Sequence, residues 1–176
     1  MNTLLEHALS YAAKNWRVLP LHTPLNGGCS CRQPACSHPG KHPRTRHGLS
    51  DASTDPATIK QWWQQWPDAN IGIVTGPESG LVVLDVDPRH DGDKSLRDLE
   101  RQHGPLPLTP EVLTGGGGRH FYFTYPEGAT IGNSSGKLAA GLDVKGKGGY
   151  VVAPPSLHPS QSPLCTRCAG SLGDDS

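Results

Sequence analysis

Two aspartates one residue apart close the apolar run Leu81-Val82-Val83-Leu84-Asp85-Val86-Asp87. Four consecutive apolar residues predict a central strand buried on both faces. Side chains two apart on a strand share a face, so both carboxylates point one way and Val86 the other. Like charges held side by side repel, and a proton, a cationic side chain or a divalent cation must offset them. Pro88 ends the strand and leaves the pair near its exposed end. Hard oxygen donors favour Mg²⁺ or Mn²⁺ over metals that prefer sulfur. A third carboxylate, Asp143, lies in the short run GLDVK at 141–145. It completes the set for a two-metal site, where cations about 4 Å apart activate an attacking oxygen and stabilise a leaving one.

Four glycines, 115–118, precede Arg119, His120 and an apolar strand at 120–125. Without Cβ atoms their N–H groups can approach a ligand closely, and Arg119 and His120 add cationic or donor side chains, which together is phosphate-handling equipment. The run is not a Walker loop, since the G-K-[ST] ending and the helix after it are missing. It is not a dinucleotide fingerprint either, because a strand follows where a helix is required. A second glycine-rich stretch carries Lys145 and Lys147, either phosphate-neutralising or solvated.

Three thiols and two imidazoles fall within 29–42 as Cys29, Cys31, Cys36, His38 and His42. They offer a Cys₃His tetrahedron for Zn²⁺, with His38 and His42 as rivals for the fourth place. The surrounding loop, 23–48, is too long for a plain connection, and a bound metal would order it. Such a closed four-ligand site is structural. Lys41, Arg44 and Arg46 form a local basic stripe, suited to DNA or triphosphate or simply solvated.

These groups need elements to carry them. Thr3 and Glu6 form a capping box opening a first helix, and residues 16–21 (WRVLPL) read as a strand. Asp55-Pro56 is an N-cap with proline in the first helical position, starting a helix that runs to about 66, with Ile59, Trp62, Trp63 and Trp66 at core-packing spacing. Strands follow at 70–75 and 81–87, joined by a hairpin-length turn at 76–80. A helix spans 92–103, and short strands read at 112–114, 120–125, 142–145 and 150–152. The order predicts an α+β domain around a largely antiparallel sheet. The 176 residues suffice for one domain, and 22 Gly and 17 Pro imply many turns. A formal net charge of +0 excludes a bulk basic field for nucleic acid. No run reaches bilayer length and no signal-peptide layout begins the chain, so a soluble cytoplasmic protein without a membrane partner is expected. Five cysteines, an odd number, fit a reducing compartment with a metal site.

Taken in order, ALSYAAKNWRVLPL, GLSDASTDPATIKQWWQQWPDANIGIVTG, GLVVLDVD, TGGGGRHFYF and GLDVKGKGGYVVAPPSLHP resemble the N-terminal domain of bifunctional primase-polymerases, in the archaeo-eukaryotic primase superfamily. The resemblance implies a primase-like catalytic domain over 1–158 with an inserted zinc loop at 26–47. Its D-x-D motif falls on Asp85 and Asp87, its histidine motif on His120 and its third acidic motif on Asp143. It implies that the acidic residues hold Mg²⁺ or Mn²⁺ and that His120 contacts the nucleotide's phosphates; Arg119 and Lys145, from the glycine-rich stretches, are the further nucleotide-binding candidates. It points to His42 as the fourth zinc ligand after Cys29, Cys31 and Cys36. The implied activity is template-directed nucleotidyl transfer from nucleoside triphosphates on single-stranded DNA, in partnership with a replicative helicase domain or protein. A metal-dependent nuclease or phosphatase, and a non-catalytic DNA-binding replication module, are the alternatives. Residues 159–176 depart from the family pattern and read as a polar, disordered or truncated tail, in which Cys165-x₂-Cys168 supplies two zinc ligands but not a site.

Overall fold

The computed structural model describes residues 3–167 and sorts the strands into two main antiparallel sheets rather than one. The elements, in chain order, are α1 (Thr3–Ala12), β1 (Val18–Leu21), β2 (Pro24–Leu25), β3 (Gly28–Cys29), α2 (Pro56–Gln65), β4 (Asn70–Val74), β5 (Leu81–Val86), α3 (Gly92–His103), β6 (Glu111–Leu113), β7 (Arg119–Thr124), β8 (Ser134–Ala139), β9 (Leu142–Lys145), β10 (Tyr150–Ala153) and β11 (Cys165–Arg167). The class is α+β.

The smaller sheet has the order β1-β4-β10, and β4 is buried along its whole length because it has a neighbour on each edge and helices above it. Ala8, Tyr11 and Ala12 of α1 and Ile59 and Trp63 of α2 join Ile71 and Ile73 in one core. Asp55 caps α2 by accepting from Thr58 N at 2.8 Å, and the helix stops before Pro67. Trp63, fully buried, donates its indole N–H to Ala69 O, so the tryptophan run is core, as its spacing indicates.

The larger sheet has the order β11-β6-β7-β5-β9-β8, which makes β5 a central strand. Its pleat divides the residues. Leu84 and Val86 face α3, where Leu96 and Leu99 cover them with Leu142 of β9. Leu81 and Val83 face the other way and pack with Ile71, Ile73 and Val151 of the smaller sheet. The two sheets therefore share an apolar core at the start of β5, and toward its end residues of both line an opening at Asp85.

Three features differ from the sequence expectation. The turn at 76–80 closes with a bridge between Gly76 and Leu81, but β4 and β5 do not form a hairpin. β4 pairs with β1 and β10 instead, because its two apolar faces need cover that a lone partner cannot supply. β8 is an exposed, irregular edge strand with a register shift, and its polar sequence SSGKLA carries no alternation to betray it. Part of the segment read as tail is built into the fold. Leu164 is buried and Cys165–Arg167 pairs with β6 as the sheet's edge. Cys168 and the rest of the chain lie outside the described residues. Among the described residues no helix is long and apolar enough to cross a membrane.

Candidate active site

The register of the larger sheet puts three of the expected residues in one transverse row. On β5, Asp85 stands directly opposite His120 of β7 on one side and Asp143 of β9 on the other. Directly opposite side chains share a face about 5 Å apart, and two carboxylates in that relation repel. Lys145 offsets them, with Nζ 3.1 Å from Asp143 Oδ2 and 4.0 Å from Asp85 Oδ2. Asp143 also accepts from Ser135 Oγ at 2.7 Å and from Gly136 N at 2.9 Å. Burial pushes its pKa up, but these donors and Lys145 outweigh burial and hold it below the usual carboxylate value.

Asp87 has left the strand. It caps the short 3₁₀ turn Pro88–His90, accepting from Arg89 N at 2.9 Å, from the Arg89 guanidinium and from His90 Nδ1 at 2.9 Å. The Arg89 contact, against the effect of burial, holds Asp87 well below the ordinary carboxylate range. Asp87 does not join Asp85 and Asp143 at ligand distance. The three carboxylates remain near one another through a backbone approach that requires glycine. Gly141 precedes β9 with φ +67°, and its carbonyl accepts from Asp87 N at 2.8 Å. A Cβ there would lie 2.5 Å from Gly92 N and 2.7 Å from Asp87 O. Gly141→Ala is therefore expected to cost about 2–4 kcal/mol, from a strained left-handed backbone plus a backbone clash, read as a lower midpoint in chemical denaturation.

His120 forms the floor of the opening and is almost fully buried. Burial pushes its pKa down, so the imidazole is neutral near pH 7. Nε2 lies 3.5 Å from Asp85 Oδ1, while Nδ1 is buried with no hydrogen-bond partner among the described residues. An unpaired buried polar atom costs about 1–3 kcal/mol, a cost that functional sites carry more often than structural ones.

Above this row opens a cleft of about 670 Å³, roofed by Tyr150 and Val152 of β10 and rimmed by Lys41, Arg89 and His158. That volume suits a nucleotide-sized ligand. Not every expected phosphate contact belongs to it. Arg119, one place before His120 on β7, projects from the opposite face. It bonds Asp93 of α3 at 2.5 Å, lies 3.6 Å from Glu111 and stacks over Phe121. Strand alternation turns it away from the cleft, and its contacts tie β7 to α3. Arg119→Ala is expected to lower stability by about 1 kcal/mol or less, as for a part-exposed ion pair, and to leave nucleotide binding within twofold in a calorimetric titration. The glycine run also has another use. Gly117 and Gly118 return their N–H groups to Thr114, and Cβ atoms on Gly115 or Gly116 would meet His158 at 2.4 and 3.0 Å. The glycines seat His158 at the rim. Of the two lysines in the second glycine-rich stretch, Lys145 enters the cleft and Lys147 is exposed.

His158 was not among the expected site residues. Its signal was the run of glycines, which a neighbouring ring explains as well as a ligand does.

The cysteine loop gathers into a second centre. Ligand atoms of Cys29, Cys31, Cys36 and His42 all lie within 4.8 Å of one another, and no other such group of three or more exists among the described residues. His42 Nε2 is 3.4 Å from Cys29 Sγ and 3.5 Å from Cys36 Sγ. A zinc tetrahedron with Zn–S near 2.3 Å and Zn–N near 2.0 Å has S···N edges of about 3.5 Å, so the donor set fits that ion. Burial raises the Cys29 thiol, but N–H donors from Cys31 and Gly40 and the His42 ring bring it down to about 6. Cys36 moves the other way, raised by desolvation and by its thiol neighbours. Thiols this close compete for a single negative charge, and a cation resolves the competition. His38 is not in the group; it bonds Ser37 and lines the cleft. The Asn26-Gly27 turn between β2 and β3, a strong hairpin signal in the sequence, places Cys29 opposite Pro24.

A family profile described as bifunctional DNA primase/polymerase, N-terminal, matches residues 8–169. The match spans both sheets, the cysteine loop and the edge strand β11. It carries with it a DNA primase/polymerase-type function and DNA and nucleotide substrates at the level of the family. The chain belongs to the bifunctional DNA primase/polymerase N-terminal family.

Proposed function

We propose that this chain performs template-directed nucleotidyl transfer from nucleoside triphosphates, with Asp85, Asp87 and Asp143 holding divalent cations and His120 contacting the triphosphate. The row His120–Asp85–Asp143 on the floor of a nucleotide-sized cleft is the observation that carries this reading. In the reaction a 3′-hydroxyl oxygen bonds to the α-phosphorus, the bond to the bridging oxygen breaks, and pyrophosphate leaves. Bound Mg²⁺ or Mn²⁺ supplies the charge that favours the hydroxyl's ionisation and the leaving group's departure. The protein's share is position and charge. Asp85 and Asp143 present oxygen donors from adjacent strands whose spacing is set by the sheet. Lys145, between them, and Arg89, on Asp87, are cations that offset the carboxylates in the absence of metal. Both can turn to phosphate oxygens when that role is taken over. His120, kept neutral by burial, can donate to a phosphate oxygen without adding charge. Zn²⁺ bound by Cys29, Cys31, Cys36 and His42 would fix the loop structurally.

A primed single-stranded DNA template, labelled nucleotides and Mg²⁺ or Mn²⁺ provide the test. Longer products with one pyrophosphate released per addition support the reading. Shortened primers or free inorganic phosphate would assign hydrolysis instead. Template binding without turnover under either metal would leave only a binding module.

A further inference from the structure

Lys41 stands at the rim of the cleft with no role yet assigned to it. It belongs to the basic stripe 41–46, but the stripe is divided. Arg44 turns inward to Leu21 O at 3.1 Å, Thr23 Oγ1 at 2.8 Å and Asp68 Oδ2 at 3.2 Å, a structural set. Lys41 enters the cleft, half-buried, within electrostatic reach of Asp85, Asp87 and Arg89. Among the described residues its ammonium makes no ion pair or hydrogen bond, whereas Arg89 and Lys145 are committed to Asp87 and Asp143. Half-buried in the cleft, drawn toward Asp85 and Asp87, opposed by Arg89 and bonded to none of them, the ammonium keeps its donors free. It is equipped to receive an anion.

Its backbone is held from both sides. Gly40, before it, has φ +72°, and a Cβ there would lie 2.4 Å from Pro24 Cδ, so only glycine brings the chain this close to β2. Gly40 N points at Cys29 Sγ at 3.5 Å, and Gly40 O accepts from Asn70 of β4 at 3.0 Å. Lys41 O accepts from the Tyr150 hydroxyl of β10. After it comes His42, a member of the Cys₃His cluster, whose carbonyl accepts from His22 N at 2.8 Å. The cluster thus grips the chain immediately after Lys41 and, through Cys29, immediately before it.

We propose that Lys41 binds the triphosphate of the incoming nucleotide and that the Cys29/Cys31/Cys36/His42 cluster positions it, so that nucleotide affinity depends on the cluster's metal. The inference rests on the nucleotidyl-transfer reading. It gives the zinc loop a second consequence: metal loss withdraws a phosphate ligand from the cleft without touching the carboxylates.

Calorimetric titration of the full chain with dATP and Mg²⁺, alongside a single-stranded oligonucleotide, tests it. Lys41→Ala should weaken dATP binding about tenfold or more, the scale of a lost charge-assisted contact, with oligonucleotide binding within twofold. Lys41→Arg should recover most of the affinity. Stripping zinc from the wild type with a chelator should reproduce the loss, and stripping Lys41→Ala should add little further. Unchanged dATP affinity in Lys41→Ala overturns the inference while leaving the parent reading standing. Weakened oligonucleotide binding with intact dATP binding reassigns Lys41 to the template backbone and overturns it likewise. Zinc removal that lowers the melting temperature but not dATP affinity overturns the positioning role. A wild type that binds no dATP overturns the nucleotidyl-transfer reading and the inference together.

Discussion

Asp85→Asn is expected to reduce primer extension by on the order of 10³-fold or more while leaving the fold intact. Asp85 is the middle member of the row, opposite both His120 and Asp143, and it faces the opening rather than the core. Its amide replacement has nearly the same shape, so packing does not change. What is lost is a formal charge at a site whose chemistry depends on concentrating cations. The same substitution removes a like-charge neighbour of Asp143, so the melting temperature without divalent metal should stay level or rise slightly. Manganese should raise the melting temperature of the wild type by mass action, and that increment should shrink in the variant. Full extension activity in Asp85→Asn would remove Asp85 from the chemistry. A collapsed melting temperature would instead make it a structural residue.

The largest effect on stability is expected from the cysteine cluster. Purified protein should carry about one zinc per chain by mass spectrometry of the metal. Chelation, or Cys31→Ser, should lower the melting temperature by about 10 °C or more and open the segment 26–47 to limited proteolysis. The reason is local. Between β1 and α2 the chain has only the two-residue strands β2 and β3, two isolated bridges, Leu21 to Pro43 and Val18 to Ser53, and a short 3₁₀ turn, Gly48–Asp51. Cys29 is the buried member of the cluster, and few apolar side chains accompany it. A loop of this kind cannot offset its own ordering entropy by burial. A chain that contains no metal, melts unchanged after chelator treatment and resists protease would show that the thiols are only a packed cluster.

Much of the site was legible because strands announce themselves by pattern. The apolar run 81–84 and its two aspartates required a central strand with carboxylates on one face, and β5 is central. The helix 92–103 and the strand 142–145 have the bounds that their sequences indicate. What pattern cannot supply is lateral order. Nothing in the local sequence says that β5 lies between β7 and β9, and only that order sets Asp85 against His120 and Asp143. Asp87 shows a related limit: alternation puts it with Asp85, but Pro88 bends the chain and Arg89 and His90 take its carboxylate. The placement of Arg119 turns on a single residue of strand boundary. Starting the strand at His120 left Arg119 in the loop, whereas β7 begins at Arg119 and the pleat then turns it to α3. Lys41 and His158 lie in irregular segments, where no period places a side chain.

The cleft between the sheets has a kinetic side. Along one face β5 passes from Leu81 and Val83, in a buried apolar core, to Asp85 and then to the rim at Asp87. Charge placed at Asp85 has poorly polarisable protein behind it and solvent only in front. Field lines from such a charge leave mainly through the mouth. A polyanion approaching a cation-loaded cleft would be drawn in from one direction, and added salt would slow its arrival more than it hastens its departure. A chain of zero formal net charge can in this way steer a triphosphate as a strongly basic one would, using the shape of its apolar interior in place of a surplus of lysine.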